Sequence, residues 1–145
     1  MNREFSIESD TDLSRIIREM QTVAVVGMKN EKQADAPAYR IPQMVQEHGI
    51  RVIPVNPTIR FSLGEPAYPN LAAVPDRFDT VNIFCRSEFI EPIADEILAL
   101  PIDRHPRVVW MQTGIRNVAA ARKLSDAGIE VVLDRCLGIY VARYR

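Results

Sequence analysis

Glycine is scarce in this chain, six residues in 145, and its placement matters more than its number. Only Gly27 follows the first apolar run, and the next stretch, 28–38, holds no other glycine. That spacing argues against the three-glycine fingerprint of a dinucleotide site, and no GxxxxGK[ST] loop is present to support an ATPase or kinase. Cysteine is scarcer still. Cys85 and Cys136 are too few and too far apart for a disulfide framework or a metal site, so reduced thiols are expected. The two histidines, His48 and His105, stand alone, without a partner at metal-binding or catalytic spacing. Neither sign of charge dominates: 18 basic residues face 19 acidic ones with no long run of either, which leaves no footprint for nucleic acid or an anionic membrane. No apolar stretch approaches the ~20 residues of a membrane helix, and Met1 to Phe5 lack the apolar core of a signal peptide. A small soluble cytoplasmic domain is expected, and 145 residues suit a single domain spanning 1–145 with a real core.

What the chain does have is a regular alternation of apolar runs and helical patterns. The stretch Thr22-Val23-Ala24-Val25-Val26-Gly27 reads as a strand buried on both faces of a parallel sheet, stopped by a glycine where the backbone turns or approaches a ligand. Further strands are expected at 50–55, 80–84, 107–111 and 129–133. Before the first strand, residues 1–21 read as a helical extension, with Leu13, Ile16, Ile17 and Met20 at helical spacing. Pro42 argues that the helix after Gly27 starts late, near Tyr39 or Arg40, because proline is comfortable only in a first turn. Pro54 is a warning sign in a central strand, since it cannot donate to the ladder. From 58 to 76 prolines break the pattern, apart from one helical turn at 71–74, and the tail begins at Asp134.

Five strands alternating with helices specify an α/β fold, a single doubly wound parallel five-stranded sheet of Rossmann-like type, with expected strand order 3-2-1-4-5. Gly27, Asn56, Phe84 to Ser87 and Gln112 to Gly114 all fall at strand carboxyl ends, where open α/β sheets bind their ligands. Strand two ends in Asn56-Pro57, not in the acid that a ribose would require. What remains is an anion site built from loop N–H groups, the positive end of the next helix, and Lys29, Arg40, Arg60 or Arg86, a chemistry suited to phosphate or pyrophosphate.

The segments Val25-Val26-Gly27, Tyr39-Arg40, Glu47-His48-Gly49-Ile50-Arg51-Val52-Ile53-Pro54-Val55-Asn56-Pro57, Gly64-Glu65, Ala67-Tyr68-Pro69, Arg86-Ser87-Glu88, Val109-Trp110-Met111-Gln112-Thr113-Gly114 and Asp134-Arg135-Cys136 together resemble the stand-alone CoA-binding protein family. The likeness runs from Thr22 onward and extends to the N-terminal domains of succinyl-CoA synthetase α subunits and ADP-forming acyl-CoA synthetases. It implies coenzyme A or an acyl-CoA as ligand and allows for a partner subunit of an acyl-CoA system, while the balanced charge already argues against a nucleic acid or membrane partner. By the same resemblance, Gly27, Met28 and Lys29 form the diphosphate loop, Tyr39 and Arg40 stand at the helix start, Asn56, Pro57, Thr58 and Arg60 line the adenosine side, and Phe84, Cys85 and Arg86 come from strand three. Relatives often carry a small hydroxyl residue soon after the first glycine, where this chain has Met28-Lys29.

The synthetases use an active-site histidine and further domains, and this chain has no histidine in the matching context. A non-catalytic binding module is therefore expected. The alternative is an enzyme acting on CoA thioesters or CoA disulfides through Cys136, placed after the last strand. A purely structural domain is the third reading.

Overall fold

The computed structural model describes residues 6–145, so residues 1–5 of the expected N-terminal extension lie outside it. The remainder of that extension is helix α1 (Asp10–Glu19), capped by the Ser9 side chain, which accepts from the Asp12 N–H. Then come β1 (Thr22–Val26), α2 (Pro37–Glu47), β2 (Arg51–Val55), the short strands β3 (Phe61–Ser62) and β4 (Glu65–Pro66), β5 (Thr80–Ile83), α3 (Ile90–Ala99), β6 (Val108–Met111), α4 (Val118–Asp126), β7 (Glu130–Val132) and α5 (Leu137–Tyr144). Asn117 caps α4, its side chain accepting from the Ala120 N–H at 2.9 Å.

β2, β1, β5, β6 and β7 form one parallel sheet in that order. The parallel sheet is as expected, but the order corrects one expectation. Among the five long strands it is 2-1-3-4-5, not 3-2-1-4-5, because the third pairs with the first on the side away from the second. Pro54 gives the physical reason. Arg51 N–H donates to Gln21 O, and Gly27 N–H to Val55 O, so the odd-numbered residues of β2 face β1. The even-numbered ones face outward, and there Pro54 has no N–H for a further strand to use. Only a brief cover forms on that edge, where Tyr68 N–H donates to Pro54 O and Asn56 N–H to Tyr68 O. β1 is still the strand on whose two sides the chain turns in opposite directions, so the crevice at its carboxyl end survives the correction.

Alternation along the strands splits the core between the two faces. Val23, Val25, Val52, Trp110 and Val132 lie under α1, α2 and α5; Ala24, Ile53, Val81, Ile83, Val109 and Met111 lie under α3, α4 and the turn at Leu71–Ala73. The tail after β7 is a further correction, since it is helix α5. Its Gly138 packs so closely on α2 that a Cβ there would lie 3.3 Å from both Ile41 Cγ2 and Met44 Sδ. No helix among the described residues is long and apolar enough to cross a membrane.

Candidate functional site

Gly27 leaves β1 in a left-handed conformation, φ +85°, between the ends of β2 and β5. Its N–H donates to Val55 O at 2.9 Å, while Phe84 N–H donates to Val26 O at 2.9 Å. A Cβ on Gly27 would stand 3.3 Å from Cys85 Sγ and 3.4 Å from the Phe84 carbonyl. The glycine is thus required twice, by its φ and by the close approach of the β5 backbone.

The loop that follows is tied down by its own carbonyls. Asn56, at the end of β2 and 8% exposed, donates from Nδ2 to Met28 O at 2.9 Å. Its Oδ1 accepts from both the N–H and the hydroxyl of Thr58, each at 2.8 Å. Ser62, from the β3–β4 hairpin, donates its hydroxyl to Lys29 O at 2.7 Å, and Lys29 N–H donates to Ala38 O at 3.1 Å. The amides of Gly27 and Lys29 are consequently used within the protein. The Met28 side chain is fully buried and so anchors the loop in the core, while Lys29 beside it is half-buried.

Helix α2 begins at Pro37, earlier than the expected start near Tyr39 or Arg40, and it carries Pro42 inside. Its N-cap, Ala36, supplies no side-chain hydrogen bond, and its first turn holds no acid. Pro37 has no N–H, and the Tyr39 and Arg40 amides both donate to Ala36 O at 2.9 Å, so Ala38 N–H is the amide of the first turn left to meet a ligand beside the positive end of the helix dipole. Tyr39 is buried and donates to Glu31 Oε2 at 3.4 Å; burial, with the Glu31 charge adding to it, raises the phenol above its ordinary range. Arg40 is exposed and donates from Nε to Asp35 O at 3.0 Å. The other oxygen-rich contact of Glu31 is structural, since the same carboxylate oxygen accepts Leu63 N–H at 3.0 Å.

Burial pushes the Cys85 thiol up, and the nearby Lys29 charge opposes that shift. Cys85 is therefore a neutral thiol beside the glycine. Pro57 and Thr58 are exposed, as are Arg60 and Arg86, which stand beyond the carboxyl ends of β2 and β5. Arg15, Arg51, Arg77, Arg107 and Lys123 are taken up in ion pairs elsewhere. Lys29 and Arg40 follow β1 in the chain, Arg60 follows β2 and Arg86 follows β5, and none of the four is in an ion pair among the described residues; cations of this kind can hold a phosphate ester or diphosphate.

On β5, directly beside β1, and across to the end of β6 lies a second polar group. Asn82 is 1% exposed and donates to Trp110 O at 3.1 Å and to Gln112 Oε1 at 3.2 Å, which also accepts Leu137 N–H. Cys136 precedes α5 and is half-buried, and among the described residues its thiol makes no hydrogen bond. No group of three metal-ligating side chains occurs among the described residues. Sequence reasoning did not single out Ser62, Glu31 or Asn82. An asparagine inside the apolar run 80–84 was a visible signal for the last; Ser62 was hidden because Leu63, at φ 54°, makes a hairpin turn without the usual Asn-Gly.

Comparison with known proteins agrees with this fold. Over 131 residues the chain is 31% identical to YneT of Bacillus subtilis, itself uncharacterized, covering 90% of this chain and 93% of that protein. A solved structure from Thermus thermophilus is 30% identical with TM-score 0.85, over 95% of this chain and 100% of the other. The fold also recurs, at 20% identity and TM-score 0.63 over 80% of this chain, in 27% of the dinucleotide-forming acetyl-coenzyme A synthetase 1 of Ca. Korarchaeum cryptofilum. The model of the CoA binding domain matches residues 21–142, from the residue before β1 to within α5, and on that match the chain belongs to the CoA-binding domain family.

Proposed function

We propose that the crevice beside Gly27 binds coenzyme A or an acyl-CoA, and that the chain acts as a non-catalytic binding module. The observation that carries this reading is the pinned glycine loop after β1, which holds Lys29, in no ion pair among the described residues, and leads into the N-terminus of α2, with neither a side-chain cap nor an acid in its first turn, in a CoA-binding domain. The diphosphate lies against Gly27 to Lys29 and the first turn of α2. The adenosine side lies along Asn56, Pro57 and Thr58, with Arg60 as the cation for a phosphate there. Phe84, Cys85 and Arg86 form the floor and far wall. Because the Gly27 and Lys29 amides are occupied, recognition falls on the side-chain cations and the helix end.

CoA at ~100 times its dissociation constant adds ~2.7 kcal/mol to unfolding, read as a rise in melting temperature. ATP, NAD and FAD, run alongside, give smaller shifts. No shift at millimolar CoA would overturn the assignment. Arg60→Ala weakens CoA by roughly threefold to tenfold, the worth of one exposed charge-assisted contact, and it weakens dephospho-CoA less. Titration calorimetry with both ligands checks this; equal losses would place Arg60 away from that phosphate.

A further inference from the structure

Pro42 is the one residue of α2 that helix chemistry disfavours, being the sixth residue of an eleven-residue helix and buried. In a regular helix the N–H of residue 42 would donate to the carbonyl of residue 38. Proline has no N–H, and its ring crowds that carbonyl. Ala38 O is not left wanting, because it accepts the N–H of Lys29 at 3.1 Å. The missing helical bond and the extra loop bond are two sides of one arrangement.

We propose that Pro42 is a positioning residue for the loop after Gly27, acting by denying Ala38 O its helical partner so that this carbonyl captures Lys29. The proposal rests on the reading of that loop as the phosphate-side wall of the CoA site. Three bonds then hold two consecutive residues: Asn56 holds Met28 O, Ser62 holds Lys29 O, and Ala38 O holds Lys29 N–H. The first two fix the carbonyls against the β2 side. The third ties the loop to α2, and it is the one that a competing donor could break. Lys29 is also a cation of the loop that follows β1, so the position of its backbone sets where its charge meets the ligand.

A merely structural proline and a positioning proline predict opposite pairs of results. Pro42→Ala, and Pro42→Val as a bulkier replacement in case the first leaves a void that prevents folding, both return an N–H opposite Ala38 O. The amide of residue 42 then becomes protected from hydrogen exchange, the Lys29 amide exchanges at least tenfold faster, and CoA affinity falls roughly threefold to tenfold. The melting temperature stays level or rises, since a helix interior favours either residue over proline. Gln43→Ala, one residue on, changes neither the Lys29 exchange nor the affinity. If the Lys29 amide stays protected in both proline variants, the proposal is overturned; if it is released while affinity holds, Pro42 does not position the site. The exchange measurement needs no ligand, so it stands apart from whether the wild-type protein binds CoA.

Discussion

Gly27→Ala loses about 1–2 kcal/mol of stability from the left-handed backbone alone, and it abolishes the rise in melting temperature that CoA produces. The two effects have separate causes. At φ +85° any L-residue is strained, wherever it sits in the fold. At this particular glycine the added Cβ also stands 3.3 Å from Cys85 Sγ and 3.4 Å from the Phe84 carbonyl, so the loop must lift off β5 to admit it. A lift of a few tenths of an ångström moves the Met28 and Lys29 carbonyls away from Asn56 and Ser62, whose bonds of 2.9 and 2.7 Å have little slack. Gly128→Ala is the control. Gly128 has nearly the same φ, +86°, lies after α4, and would meet nothing within 4 Å. It carries the conformational cost without the crowding, so it lowers the midpoint of urea unfolding while leaving the CoA shift intact. Equal responses to CoA in the two variants would show that the approach of β5 to Gly27 has no part in binding.

That contrast marks how far the sequence could be read. The strand at Thr22–Val26 and its terminal glycine were legible because an apolar β-branched run stopped by glycine has few structural meanings. That Gly27, Asn56, Phe84 to Ser87 and Gln112 to Gly114 fall at strand carboxyl ends was legible for a topological reason, since each stretch directly follows a strand of the parallel sheet. The order of those strands was misjudged, although Pro54 carried the information: a proline whose side of the ladder is open marks an edge, and an edge at β2 sends the third strand to the far side of β1. Helix α5 was missed because eight residues with a glycine near the start give a weak helical pattern, and its stability comes from packing on α1 and α2. The internal bonds of the site were beyond reach. Nothing local in Phe61-Ser62 tells that its hydroxyl will cross to Lys29, and nothing in Pro42 tells that the carbonyl it strands will be claimed thirteen residues back. Such pairings are set by tertiary distance, which pattern does not encode.

The second large effect falls on Trp110→Ala, which costs about 3–5 kcal/mol, a substantial part of the ~5–15 kcal/mol available to a domain, and lowers the melting temperature by roughly 10 °C or more. Trp110 is fully buried in the middle of β6, between Asn82 of β5 and Val132 of β7. Its ring meets Tyr140 of α5 edge-on at 5.6 Å, and its Nε1–H donates to Arg135 O at 2.8 Å. Arg135 in turn donates to Tyr140 Oη at 2.7 Å and from its own N–H to Met111 O. Truncating the indole therefore opens a cavity and strands a carbonyl at the corner where β7 passes into α5. Trp110→Phe separates the two losses, because it keeps most of the apolar contact and forfeits only the donor, at about 1–2 kcal/mol. Neither change reaches the crevice directly, since Trp110 lies beyond β5 from Gly27. Trp110→Phe accordingly melts lower but retains the full CoA shift, which thermal melts with and without ligand will show. If Trp110→Phe lost the shift as well, the polar chain from Trp110 O through Asn82 would have to be counted as part of the binding site. If Trp110→Ala cost less than ~1 kcal/mol, the packing of this face of the sheet would not be the support for the strand ends that the geometry makes it.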